Sequence, residues 1–171
     1  MDEVEARAGR ACAEARSRLR DAGIPPEALA DWVPEGRRLL VLRRPAVLRP
    51  LGEVWRLGVL LLGTERGLYA VGRITRAAER GRAGYQSVSQ EERREIAGAA
   101  LRGGYAAGTA VNFDAMPLDL ASPPPPEAVS PLGRSGGELR VRWRAGAPLE
   151  SAPTLESYLA ERVQLLTRPV S

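Results

Sequence analysis

The sequence predicts a single α+β domain over residues 1–171: a mainly antiparallel sheet of four to six strands packed by about three helices. Three observations carry this. Apolar residues recur at three- and four-residue spacings near both ends of the chain and around Ile96. Between residues 37 and 75 the pattern changes to short apolar runs bounded by arginine, glycine and proline. No repeat of fixed period appears, and a length of 171 residues suits one domain with a substantial core.

Residues 3–21 set Val4, Ala8, Ala11, Cys12, Ala15 and Leu19 on one helical stripe. Gly23 and the Pro25-Pro26 pair end that helix, and Glu27 to Trp32 is expected to add a short helical turn, so residues 1–36 read as a helical segment. RRLLVLRR (37–44) reads as a strand, and AVLR between Pro45 and Pro50 as an edge piece. EVWRLGVLLL (53–62) reads as one central strand, apolar on both faces. The turn GTERG (63–67) and the returning strand LYAVGRIT (68–75) complete a hairpin.

After a long connection, Ser89-Gln-Glu-Glu92 matches a capping box, and Gly103-Gly104 ends the helix that follows. TAVNFD (109–114) alternates as a strand, which MPLDL (116–120) extends past a kink. Residues 122–137 carry four consecutive prolines and read as an irregular, polyproline-like loop. ELRVRW (138–143) alternates Leu139, Val141 and Trp143 against Arg140 and Arg142. Thr154 then caps a last helix, with Leu155, Tyr158, Leu159, Val163 and Leu166 as its apolar stripe.

Composition excludes much chemistry. All 25 basic residues are arginine, and histidine is absent. Without lysine there is no Schiff base, no P-loop lysine and no Ser-x-x-Lys pair. Without histidine there is no Ser-His or Cys-His pair and no imidazole metal ligand. The single cysteine, Cys12, excludes an internal disulfide and a multi-cysteine metal site. No cofactor and no metal are expected. No apolar run is long enough to span a bilayer, and the acidic N-terminus is not a secretory signal, so a cytoplasmic location is expected. The charge is uneven: residues 32–82 hold eleven arginines against four acids, whereas the flanking stretches are slightly acidic. That middle third could attract an anionic partner.

The stretch GRAGYQSVSQEE (81–92) brings glycines and arginines to a helix start, where unpaired N–H groups favour anions. Arg80, Arg82, Tyr85, Ser87 and Ser89 are the anion-binding candidates there. Glu91, Glu92 and Glu95 oppose them, and plain helix capping accounts for the same residues. The catalytic candidates that remain are Cys12, which lies on an apolar helix stripe as a buried small hydrophobe would, and the carboxylates Asp114 and Asp119 near a strand end. Trp32, Trp55 and Trp143 could stack on a base or sugar, but Trp55 and Trp143 fall on strand core faces.

The order EVWRLGVLLL, GLYAVGRIT, SQEERREIAGAALRGGYAAGTAVNFDAMPLDL, LRVRW and LESYLAERVQLL, over most of residues 39–167, is similar to a group of small actinobacterial proteins, some of which carry the label glutaminase. The resemblance implies hydrolysis of the glutamine side-chain amide. Known glutaminase chemistries use a Ser-x-x-Lys pair or a cysteine with histidine or at the N-terminus, so none of their catalytic residues can be carried over to this chain. The expectation is a cytoplasmic, non-catalytic binding or accessory module for a protein partner or a small anion. The alternatives are an atypical glutamine amidohydrolase and a weak nucleic-acid binder using Arg37, Arg38, Arg43, Arg44, Arg73, Arg76, Arg80 and Arg82.

Overall fold

The computed structural model describes residues 2–38, 42–81, 87–125 and 128–168, without the side chains of residues 37, 38 and 42. Among these residues the chain is α+β: helices α1 (Glu3–Asp21), α2 (Val88–Arg102) and α3 (Leu155–Thr167), with strands β1 (Glu27–Val33), β2 (Gly36–Arg38), β3 (Leu42–Arg44), β4 (Val47–Leu57), β5 (Leu60–Gly63), β6 (Leu68–Ala70), β7 (Arg73–Arg76), β8 (Ala110–Phe113), β9 (Met116–Pro117), β10 (Leu132–Ser135) and β11 (Glu138–Val141). Seven strands pair in the order β7-β8-β1-β4-β5-β6-β9, and β2–β3 and β10–β11 form separate two-stranded sheets, so the strands outnumber the expected four to six. Pairing is antiparallel except between β1 and β8.

Two compact units share the chain, each built from separated segments. The first comprises Met1–Pro26, Trp55–Val71 and Met116–Ser171. Its core joins Ala8, Cys12, Ala15 and Leu19 of α1 and Leu155, Tyr158, Leu159 and Val163 of α3 to Trp55, Leu57, Leu60, Leu62 and Leu68. Asp2 caps α1 by accepting from the Val4 N–H, and a hydrogen bond from Arg134 holds its carboxyl below the ordinary value. The predicted cap of α3 is present, with Thr154 accepting from Ser157 N–H at 3.2 Å. Its apolar stripe ends earlier than expected: Val163 is buried, whereas Leu166 in the last turn is exposed.

EVWRLGVLLL is two strands, not one. Gly58 and Val59 turn the chain between β4 and β5, with Gly58 at φ 64°. The Tyr158 hydroxyl fixes that turn from α3, donating to Leu57 C=O at 2.9 Å and accepting from Val59 N–H at 3.0 Å. A Cβ on residue 58 would collide with that hydroxyl, so both the backbone angle and the space call for glycine. LYAVGRIT is also divided: β6 pairs with β5 as expected, but β7 leaves to pair with β8.

The predicted loop at 122–137 contains β10. Gly136 and Gly137, at φ 60° and 75°, make the two-residue turn that pairs β10 with β11. The alternation read in ELRVRW reverses after Val141. Arg142 is 4% exposed and donates to the carbonyls of Ala147, Ala128 and Ser130, so Trp143 turns outward and is 63% exposed. A buried guanidinium needs several acceptors, and the 142–147 turn supplies one of them. Trp55 is in the core, as expected, donating to Ile24 C=O at 2.8 Å.

The second unit comprises Glu27–Val54 and Gly72–Ala115. Glu27–Val33 is a strand rather than a helical turn, so the N-terminal helical segment stops at Asp21. Alternation explains this: Ala28, Ala30 and Trp32 belong to the core that α2 covers, and β1 is paired on both sides. RRLLVLRR is not one strand either; β2 and β3 are the arms of a hairpin whose tip lies outside the described residues. The piece after Pro45 is the start of β4 and pairs with β1, not an edge. Pro50 is tolerated because the register shifts there, opposite Leu29 and Ala30.

Small residues let α2 lie close to the strands. Ala99, Ala100 and Ile96 pack with Ala30, Leu48, Val111 and Phe113. MPLDL does not extend β8; the chain kinks at Asp114, at φ 53°, and β9 pairs with β6. Asn112, the sole asparagine, is fully buried and donates to Glu27 at 2.7 Å and to Ala28 C=O at 3.1 Å, tying β8 to β1.

Replacing Tyr158 by Phe leaves a donor and an acceptor of the β4–β5 turn unpaired. The expected loss is about 1–3 kcal/mol of stability in urea unfolding. A change below a few tenths of a kcal/mol would mean the hydroxyl does not hold the turn.

Candidate functional site

The second unit contains a cleft of about 860 Å³, between the β2–β3 hairpin and the first turns of α2. Its apolar lining comes from Trp32, Pro34, Pro45 and Ala46 on the strand side and from Val88 and Ile96 on the helix. Trp32 is held by a tilted ring contact with Phe113, at 6.2 Å between centroids. Ile96 and Ala46 are buried, whereas Val88, the first residue of α2, is 88% exposed. A cleft of this size with a partly apolar wall is typical of small-molecule sites.

Four arginines and four glutamates share the lining: Arg43, Arg44, Arg73 and Arg80 with Glu35, Glu91, Glu92 and Glu95. Most are already matched. Arg73 pairs with Glu92 at 2.9 Å, approaches Asp114 at 3.9 Å and stacks on the Phe113 ring at 5.1 Å. Arg80 bonds Glu91 and lies 3.1 Å from Glu95, and the Glu91 hydrogen bond raises its already high pKa. Arg102 reaches Glu95 at 2.5 Å and also donates to Ala46 C=O at 2.7 Å, fastening the C-terminal end of α2 to the segment just before β4. Arg43 and Arg44 are exposed and have no carboxylate within ion-pair distance among the described residues. The hairpin register sets Arg37 opposite Arg43.

The anion candidates at the start of α2 are only partly gathered here. Arg80 lines the cleft, but its charge is neutralised by two glutamates. Arg82 and Tyr85 lie outside the described residues. The helix begins two residues earlier than the Ser89 capping box requires: Ser87 is the N-cap, its side chain makes no capping hydrogen bond, and its Oγ lies 3.1 Å from Ser89 Oγ. The backbone explains the shift, because Ser87 C=O already accepts from the N–H groups of Gln90 and Glu91. Glu92 consequently pairs with Arg73 instead of reaching back to cap the helix. Sequence reading did not assign Pro34, Pro45, Val88 and Ile96 to a site; the usable signal was an exposed apolar residue at a helix start near a proline-flanked arginine hairpin.

The catalytic candidates are not assembled. Cys12 is 2% exposed in the α1 stripe, and burial raises its pKa. Asp119 accepts from Ala121 N–H at 2.9 Å, whereas the ion-pair neighbour of Asp114 is Arg73. Among the described residues no group of three or more Cys, Asp or Glu side chains is arranged to hold a metal ion. In the first unit, Trp143 stands in solvent with the Arg144 guanidinium 4.5 Å from its ring. No described helix is long and apolar enough to cross a membrane. No protein-family model, curated protein or solved structure matches this chain.

A buried thiol with a raised pKa is a poor nucleophile. Cys12 is expected to react with a thiol reagent such as dithionitrobenzoate at pH 8 at least tenfold more slowly in the folded chain than in denaturant. Equal rates would show that the thiol is accessible.

Proposed function

We propose that this chain is a binding module without catalytic machinery of its own, and that the cleft of the second unit takes a small anionic ligand. The carrying observation is that Arg43 and Arg44 line a concave, partly apolar cleft without a carboxylate partner among the described residues. Unmatched guanidinium groups favour an anion, and bidentate bonding to a carboxylate or phosphate suits their geometry. Concavity favours a small molecule over the flat face of a protein partner.

The other readings have less support. Weak nucleic-acid binding would draw on Arg37, Arg38, Arg43, Arg44, Arg73, Arg76, Arg80 and Arg82, yet of these Arg73 and Arg80 are paired with glutamates and Arg76 donates to Gly108 C=O at 3.1 Å. Glutamine hydrolysis would need a nucleophile and a base in one place, and burial works against Cys12.

Two measurements test the proposal. In a titration with small carboxylates and inorganic phosphate, followed by amide NMR, saturable shifts are expected to centre on residues 43–46 and 88–96 and to vanish in the Arg43→Ala/Arg44→Ala variant. Shifts that persist in the variant would move the anion site elsewhere. The purified chain is also expected to release no ammonia from glutamine; turnover that survives repurification would replace a binding module by an enzyme.

A further inference from the structure

We infer that the ligand of this cleft is an amphipathic monoanion: one carboxylate or similar singly charged head on an extended apolar body. The inference rests on the binding reading above and names the class of molecule it takes. Two features narrow the choice, one electrostatic and one apolar.

The first limits the charge. Glu35, Glu91, Glu92 and Glu95 all line the same cleft as the arginines. Arg73 and Arg80 are held by three of those glutamates, leaving Arg43 and Arg44 uncommitted among the described residues. A single anionic head can sit on these two guanidiniums. A polyphosphate or a nucleic-acid strand would carry further charges onto the glutamates, at a cost that grows with each one. The exposed ion pairs are individually weak, so they do not block the cleft; they leave no net positive charge on its far wall for a second anionic group.

The second sets the body. Val88 stands almost fully in solvent at the start of α2, on the same cleft as the proline rings of residues 34 and 45 and the partly buried Trp32. The buried side chains of Ile96 and Ala46 continue the apolar lining inward. A small hydrophilic anion such as phosphate leaves this surface wet. An alkyl or aryl body covers it and takes that apolar surface out of water.

The test is calorimetric titration of the full chain with four probes below their aggregation concentrations: decanoate, acetate, inorganic phosphate and decyltrimethylammonium. Decanoate is expected to bind saturably, with an affinity at least tenfold above acetate and phosphate, and the cation is expected not to bind. Binding of decanoate should fall at least tenfold in Arg43→Ala/Arg44→Ala. It should fall similarly in Val88→Asp, a change at an exposed helix start where aspartate is favoured, so its melting temperature should not drop. Acetate or phosphate matching decanoate would keep the anion cleft and overturn the amphipathic ligand. Equal binding of the cationic detergent, or decanoate binding indifferent to Val88→Asp, would also overturn it. If no anion binds at all, the anion-binding reading falls together with this one.

Discussion

One phenolic hydroxyl carries much of the order in the first unit. Tyr158 sits on the buried side of the last helix, and its oxygen bonds both limbs of the turn between β4 and β5. The turn can be that tight because residue 58 has no Cβ to strike the hydroxyl. Once the turn is fixed, β5 is placed beside β4, the leucines of β5 and β6 meet the stripes of α1 and α3, and the core closes. A polar group buried there is costly unless its partners are complete, which makes the geometry specific as well as stable. Arg142 plays a comparable part nearby: a cation is buried because three carbonyls receive it, and the neighbouring tryptophan is turned outward.

In the second unit the constraint is steric closeness. Alanines on α2 and on β1 bring the helix down onto the strands, and Phe113 fills the space that remains. Arg102 locks the helix further by bonding both Glu95 and the Ala46 carbonyl. The cleft follows from that placement. The helix start, with Val88 and the three glutamates of its first turns, faces the proline-flanked hairpin because the alanines of the helix pack on the strands and its last residue, Arg102, is pinned to Ala46. An ordinary packing requirement thus sets an exposed apolar residue on the same cleft as Arg43 and Arg44, which have no carboxylate partner among the described residues.

The helices were legible in the sequence because their signals are local. The stripe of α1, the Thr154 cap and the Gly103-Gly104 stop depend on residues a few positions apart. The α+β class was legible for the same reason. The strands were less so. Glu27–Val33 follows two prolines and contains four residues with good helix propensity, Glu27, Ala28, Leu29 and Ala30, yet pairing on both sides makes it a strand. Gly58 inside an apolar run read as part of one long strand, because the tyrosine that makes it a turn lies on the last helix. The cleft was the least legible feature. Arg80 and the glutamates could be named, but their pairing, the placement of Arg43 and Arg44 on the cleft, and the apolar wall depend on register and helix placement, which no short window of sequence contains.

The interleaving of segments has a consequence for synthesis. α1 is made well before its core partners on α3, which lie more than 130 residues further along the chain. At roughly 5–20 residues per second, the gap between them is on the order of ten seconds. Through that interval the α1 stripe, with the Cys12 thiol on it, lacks the helix that completes its burial, and β1 must likewise wait for β8 before its parallel pairing can form. The nascent chain therefore emerges from the ribosome with an amphipathic helix open to capture, and Cys12 is most accessible to oxidants at this stage rather than in the finished fold.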